Sequence, residues 1–507
     1  MKKATYFGVG LISMLTLSVS AQDQTDALRY SELGVGGTAR FMAMGGAFTA
    51  VGGDASSLAF NPAGIAVFNK SQLTFSPGFT IQTIGSTYNG TTISTIQPSF
   101  NIQNAAWIAS WKNRNKDAMW KGINFGIAYN RTANFNSSMN IQGNSSTSLL
   151  DAFTANANGN TPANLDPFST QQAFYAGAIN GPGLIDTIKG EKGTSYSNVV
   201  DPFLSSGKYV LQQQSLQTWG SMGETDISFG GDYRNKLYIG ATIGIPDINY
   251  NANASYTETP QYNDSVYGLQ SYNYSTTLST TGAGINFKFG LIYRIFNWLR
   301  IGAAVHSPTW FSLTDNYSSL VTATYSGVSS EYPQGTYSGT PDGNPMTGSY
   351  NYTLITPMRA MGGVAVVLHH FAILSADYEY VDYSTASLSG SGIAAASQFT
   401  QANEAIQQSY MPASNLRFGA EVVLYPFSIR AGYTYYGNPY SSLAGNSSIK
   451  NSYSAGVGIK INRCFIDLAY VLSQYSENYY LYDASLVNPV LNKTTVSTAV
   501  ATFGVNF

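Results

Sequence analysis

The sequence predicts a transmembrane antiparallel β-barrel of about 14 strands whose lumen holds an amino-terminal plug. Three observations carry this expectation. Apolar and polar residues alternate over long stretches of chain. No apolar run after residue 21 reaches the ~20 residues that a membrane helix needs. The predicted connections are short at one end of the strands and long at the other. Composition agrees: 10% of residues are charged and 14% aromatic, with 37 Tyr and 50 Gly. Soluble domains average roughly 25% charged residues. The net charge of −2 implies no nucleic-acid partner.

Taken in order, residues 1–21 read as a signal peptide. Lys2 and Lys3 form its positive start, Val9 to Val19 its apolar core, and Val19-Ser20-Ala21 its cleavage site. The sole cysteine, Cys464, cannot form an internal disulfide. Residues 22–70 are expected to form the plug and 71–507 the barrel. Strands are predicted over 72–84, 96–111, 121–137, 223–233, 237–258, 268–295, 299–324, 348–368, 371–388, 414–425, 428–438, 449–461, 463–480 and 494–507. Short turns fall at Arg234-Asn235-Lys236, Phe296-Asn297-Trp298, His369-His370, Pro426-Phe427 and Asn462. Long connections fall at 138–222, 325–347, 389–413 and 481–493. With a periplasmic amino terminus, those short turns are periplasmic and those long connections external, the asymmetry expected of bacterial barrels.

Period two separates two faces. Leu416, Phe418, Ala420, Val422 and Leu424 share one face of their strand, opposite Asn415, Arg417, Gly419 and Glu421. Ile285, Phe287, Phe289, Leu291 and Tyr293 similarly oppose Asn286, Lys288, Gly290 and Arg294. A charge on the lipid face costs ~2–4 kcal/mol at the midplane, so the polar face is assigned to the lumen. The final strand ends in Phe507, with Ala499, Ala501, Phe503 and Val505 on the same face. Such an ending resembles the signature read by the barrel-assembly machinery, an expected partner. The 138–222 connection is long enough to fold, with short helices predicted over Leu149–Ala157 and Gln171–Ile179. Phe153, Phe168, Phe174, Tyr175 and Ile179 would give it an apolar side.

The plug candidate is Gly45 to Gly64, GGAFTAVGGDASSLAFNPAG. Its small residues can thread a lumen, its glycines allow close packing, and Asn61-Pro62 favours a turn. A phosphate loop would need a Gly-Lys-Ser/Thr ending, which is absent. Gly52-Gly53-Asp54-Ala55-Ser56-Ser57 leading to Asn61-Pro62-Ala63-Gly64 resembles the hatch of the FadL/TodX family of outer-membrane transporters for hydrophobic compounds. The Gly302 to Pro308 segment (GAAVHSP), Asp377 to Ser384, Leu416 to Glu421 and Ile429 to Tyr433 are similar to later parts of that family. The resemblance implies a 14-stranded barrel plugged by a hatch in which Asp54, Asn61, Pro62, Ala63 and Gly64 take part in gating. It implies passive uptake of long-chain fatty acids or aromatics across the outer membrane. Hydrophobic small molecules, outer-membrane lipid and lipopolysaccharide are then the expected partners of a monomer that needs no cofactor. Other barrels that resemble this family serve protein export or surface attachment, which is the alternative.

No Cys/His spacing suggests a metal site among His306, His369, His370 and Cys464. His306 and Ser307 are adjacent on a strand and point to opposite faces, so they make no dyad and no catalytic residue is assigned. Lys288, Arg294, Arg300, Arg417, Arg430 and Lys460 are expected to face inward, as are Asp377, Glu379, Glu421 and Asp467. A network of paired charges around the hatch is one reading. The other makes Arg417, Arg430, Lys288 or Arg300 the receiver of a ligand carboxylate, with Arg417 and Arg430 the first choices. Pro77, Pro98, Pro246 and Pro357 fall within predicted strands and can interrupt pairing there.

Overall fold

The computed structural model describes residues 24–115, 117–180, 194–261, 268–327, 333–369, 371–390 and 393–507. The predicted signal peptide and His370 lie outside them. Long alternating segments pair in sequence order into a closed antiparallel barrel of 14 strands. They are β1 (Gln72–Tyr88), β2 (Thr91–Lys112), β3 (Trp120–Asn134, continuing as Ser137–Ser145) and β4 (Val210–Tyr233). Next come β5 (Leu237–Pro260), β6 (Leu269–Phe296), β7 (Leu299–His306 and Trp310–Tyr325) and β8 (Met346–Ile355 and Arg359–Leu368). The remainder are β9 (Ala372–Asp382 and Ser387–Gly390), β10 (Pro412–Leu424), β11 (Phe427–Tyr436), β12 (Lys450–Ile461), β13 (Cys464–Tyr479) and β14 (Val490–Asn506). Closure is direct: β1 pairs with β14 from Gln72↔Asn506 to Thr87↔Leu491. A closed ladder leaves no sheet edge, the condition for strands to cross a bilayer.

The alternation sorts as expected. Phe79, Phe229, Phe287, Phe289, Phe418 and Leu468 are exposed on the outside, while Lys288, Arg417, Glu421 and Arg430 are buried inside. Trp111, Trp120, Trp298, Phe371, Tyr425, Phe427 and Phe507 are exposed around the short-turn end. Such an apolar belt with an aromatic rim is the outer surface of a membrane barrel. Level with Trp219 and beyond it, the outward positions of β5 become Asn249, Asn251, Asn253, Ser255 and Thr257, marking where the belt ends.

Several boundaries differ from those predicted. β1 and β2 run on to a tight Asn89-Gly90 turn, with φ of 45° and 86°. Both residues must adopt positive φ in such a hairpin, which Asn-Gly suits. This turn is short although it lies at the long-loop end, an exception to the predicted asymmetry. β3 extends to Ser145 and β4 begins at Val210, so the long connection is shorter than 138–222. β7 and β8 are each broken beside a proline, at Pro308 and Pro357. Finally, 389–413 is not an open loop, because Ile393–Ser409 is helical. Its run of Ala, Gln and Glu lacks both Gly and Pro, which suits a helix.

The interior is filled in three layers. Helices Leu149–Ala157 and Thr170–Tyr175 cap the long-loop end, burying Phe153, Phe174 and Ile179 against Tyr272 and Tyr325. Phe168 is half-buried there, but Tyr175 is exposed rather than part of the apolar side. The second helix stops at Tyr175, short of the predicted Ile179. Beneath the cap, Gln24–Arg29 packs with Ile393–Ser409, burying Leu28, Tyr30, Tyr250, Phe399 and Ile406. The third layer, at the short-turn end, is the amino-terminal hatch.

Candidate functional site

The hatch has little regular structure of its own. Short helices over Ala39–Ala43 and Ser57–Phe60 and a 3₁₀ turn over Pro62–Val67 are joined by turns. Its backbone groups therefore need partners elsewhere, and the wall supplies them. Thr502 Oγ1 accepts from Ala39 N–H at 2.7 Å, and Asp377 Oδ2 accepts from Thr49 N–H at 2.8 Å. Ser454 donates to Ala43 O at 2.9 Å, Thr434 to Gly45 O at 2.8 Å, and Thr242 to Leu58 O at 3.1 Å. Asn124 donates to Ile65 O at 2.6 Å, and His306 Nε2 lies 2.7 Å from Phe60 O. His306 thus touches the hatch, not Ser307.

Wall glycines let the hatch approach this closely. A Cβ on Gly290 would lie 1.8 Å from Asn61 Oδ1; on Gly240, 2.3 Å from Pro62 O; on Gly302, 2.0 Å from Thr49 O. Any side chain at these positions would displace the hatch.

Asn61 is fully buried. Its Oδ1 accepts from Ala63 N–H at 3.1 Å, and its Nδ2 donates to Thr49 O at 2.6 Å and Leu291 O at 3.3 Å. It therefore ties the 3₁₀ turn to the preceding loop and to β6. Pro62 begins that turn, where its missing N–H costs nothing. Ala63 and Gly64 are buried, and Ser57 stands 2.4 Å from where a Gly64 Cβ would be. Asp54 accepts from Thr38 Oγ1 at 2.8 Å and Ser56 N–H at 2.9 Å, closing the loop on itself. The five predicted hatch residues are thus brought into one locked unit.

Buried ion pairs link this unit to the wall. Glu421 pairs with Arg40 of the hatch at 2.6 Å and with Arg430 at 2.7 Å, and Arg430 reaches Asp467 at 2.6 Å. Burial disfavours the Arg40 charge, but Glu421 beside it outweighs this and holds its pKa above the ordinary range. Glu379 lies between Arg359 and Arg417, and Arg359 also donates to Ser31 O. Lys288 pairs with Glu224 and, at 2.9 Å, with Asp226. So Arg417, Arg430 and Lys288 each hold a protein carboxylate. Arg300 differs: its hydrogen bond goes to the Val51 carbonyl at 3.0 Å, and it forms no ion pair among the described residues. Sequence reasoning missed Arg40, Arg359, Glu224 and Asp226. Glu224 and Asp226 share one strand face, and two same-face carboxylates demand a cation. That signal was present. Lys460 points inward at the rim but remains exposed.

The wall is discontinuous between β2 and β3. β2 pairs with β3 only from Asn104↔Asn130 to Lys112↔Gly122, so residues 91–103 have no ladder partner on that side. β3 bulges between Arg131 and Ala133 and breaks before Ser137. Gly34 N–H donates to Thr132 O at 2.8 Å, and Gly36 lies so close that its Cβ would be 1.9 Å from Arg131 O. The chain leading into the hatch thus rests on this bend. Among the described residues, side-chain hydrogen bonds bridge the gap: Asn134 to Ser99 at 3.1 Å, Arg131 to Ile102 O at 3.2 Å and Thr95 to Ser138 O at 2.5 Å. Each predicted strand proline sits at an irregularity: Pro98 within the unpaired stretch, Pro77 at a register shift, Pro246 where pairing with β6 lapses, and Pro357 in the break of β8.

No family model matches the sequence, and no curated protein matches it. Solved structures do. A FadL homologue from Pseudomonas aeruginosa superposes with a TM-score of 0.54 at 11% identity, covering 94% of this chain and 99% of that one. The toluene transporter TodX of P. putida gives 0.51 at 12% identity, covering 93% and 99%. The chain has the fold of the FadL and TodX barrels over nearly its whole length.

Proposed function

We propose that the protein is an outer-membrane channel for passive uptake of hydrophobic compounds, long-chain fatty acids or aromatics, gated by its hatch. The observation that carries this reading is a hatch seated in a membrane barrel directly beneath a gap in the wall. Ile96, Phe100 and Ile102 line the outer edge of that gap and are exposed. A hydrophobic ligand can leave through such a gap into lipid without crossing water. Movement of residues 45–64 around Asn61 would shift Gly34 and Gly36 off the β3 bend and widen the gap. Each buried CH₂ is worth ~0.8 kcal/mol, so neither covalent chemistry nor a cofactor is required for binding. The FadL and TodX fold is consistent with this role.

One observation favours the second reading, a barrel used as a scaffold for export or surface attachment. The enclosed space beside Lys288, Glu224 and His306 measures about 30 Å³, so the layers meet with little room between them. Uptake of labelled laurate, toluene and a sugar by vesicles with and without the protein separates the two. A channel raises uptake of the first two and leaves the sugar unchanged. A scaffold raises none of them.

A further inference from the structure

Below the hatch, the short-turn mouth of the barrel contains a pit of about 430 Å³. Small-molecule sites commonly measure roughly 300–1,000 Å³. Two chemistries meet in it. Val51, Val67, Phe68, Val367 and Ile373 provide an apolar wall. Arg40, Lys70, Arg300 and Lys460 provide cations, and no acidic side chain among the described residues lines the pit. Arg40 is neutralised by Glu421, as described above.

Arg300 is the unusual member. It stands directly across from Arg294 in the β6–β7 ladder. Like charges in directly opposed positions destabilise a sheet. Arg294 donates to Tyr238 OH at 2.8 Å and Arg300 to Val51 O at 3.0 Å, both neutral acceptors. The Nε atoms of both arginines are buried without a hydrogen-bond partner among the described residues. Elsewhere in this barrel, inward arginines and lysines such as Lys288, Arg359, Arg417 and Arg430 each meet a carboxylate. At this mouth Arg300 stands beside an apolar wall with no carboxylate partner among the described residues.

We propose that this pit binds an amphiphile by its carboxylate, with Arg300 as the principal donor and the chain lying against Val51, Val67, Phe68, Val367 and Ile373. An acid bound here lies on the periplasmic side of the hatch and contacts it at Val51 and Val67. Its place in transport rests on the uptake reading; its binding does not. A fatty acid has both a charged head and a chain to satisfy the two halves of the pit, whereas its methyl ester satisfies one.

The test is photolabelling of the full-length barrel in non-ionic detergent with a diazirine-bearing fatty acid, followed by mapping of adducts by mass spectrometry. Labelling is expected on the segments around Val51–Phe68 and Val367–Ile373. A hydrogen bond to a charged group contributes about 1.5–3 kcal/mol, so Arg300→Gln should weaken labelling roughly tenfold or more. Lys460→Glu, an exposed change that spares folding, should weaken it in the same direction. The methyl ester should label weakly and be indifferent to both variants. Equal labelling by acid and ester, or full labelling of both variants by the acid, overturns the site. Vesicle uptake of toluene by the wild-type protein is read separately. Its absence overturns the channel reading and leaves the labelling result standing.

Discussion

Replacing Asn61 by alanine should loosen the hatch while leaving the barrel intact. The side chain makes hydrogen bonds to Ala63 N–H, Thr49 O and Leu291 O in a fully buried setting. Losing them deprives the Ala63 N–H and the Thr49 carbonyl of these partners. A buried group left unsatisfied costs about 1–3 kcal/mol. Two such groups come to about 4 kcal/mol, roughly a thousandfold in the population of open hatch. The wall should not feel this loss, because its strands keep their own ladders. Hydrogen exchange followed by mass spectrometry reads both parts at once. Amides of residues 45–64 should exchange faster by up to that factor, limited by the stability of the rest of the hatch, while those of β12 to β14 stay protected. Gly290→Ala should produce the same pattern from the other side of the contact, because its new Cβ would meet Asn61 Oδ1. Unchanged protection of the hatch in both variants would refute the claim that this contact locks it.

Other expectations follow from the same contacts. Glu379→Gln leaves Arg359 and Arg417 buried without their shared carboxylate. Breaking a buried pair costs about 3–5 kcal/mol, so urea unfolding in detergent micelles should begin at distinctly lower denaturant. Gly240→Val and Gly302→Val put side chains where Pro62 O and Thr49 O now lie. Both should raise vesicle permeability to small solutes, measured by liposome swelling. Deletion of residues 45–64 should alter hydrophobic uptake or small-solute permeability; no change in either would remove the gating role.

Much of this molecule was legible from period two alone. Each strand carries its own inside and outside, so Lys288 or Phe418 could be placed without knowing its neighbours. The hatch was legible because Gly45 to Gly64 is rich in small residues and turn formers and ends in Asn61-Pro62-Ala63-Gly64. Ion-pair partners were not legible. Glu379 reaches Arg417 because β9 and β10 pair with Asp377 opposite Arg417, a register that no local pattern specifies. Arg40 meets Glu421 across most of the chain length, through the threading of the hatch. The Asn89-Gly90 turn was visible in principle, but residues on either side of it are too polar to read as strand. The Ile393–Ser409 helix was hidden by the expectation that long connections are loops.

In the proposed uptake route, ligand leaves through the gap between β2 and β3. Ser99 and Asn134, whose side chains meet at 3.1 Å, face each other across it. A barrel carrying Ser99→Cys and Asn134→Cys, with Cys464 replaced by serine, can be closed by a short thiol crosslinker that reducing agent cleaves. The account predicts that crosslinking abolishes uptake of toluene and laurate by vesicles and that reduction restores it. Undiminished uptake through a fully crosslinked barrel would contradict it.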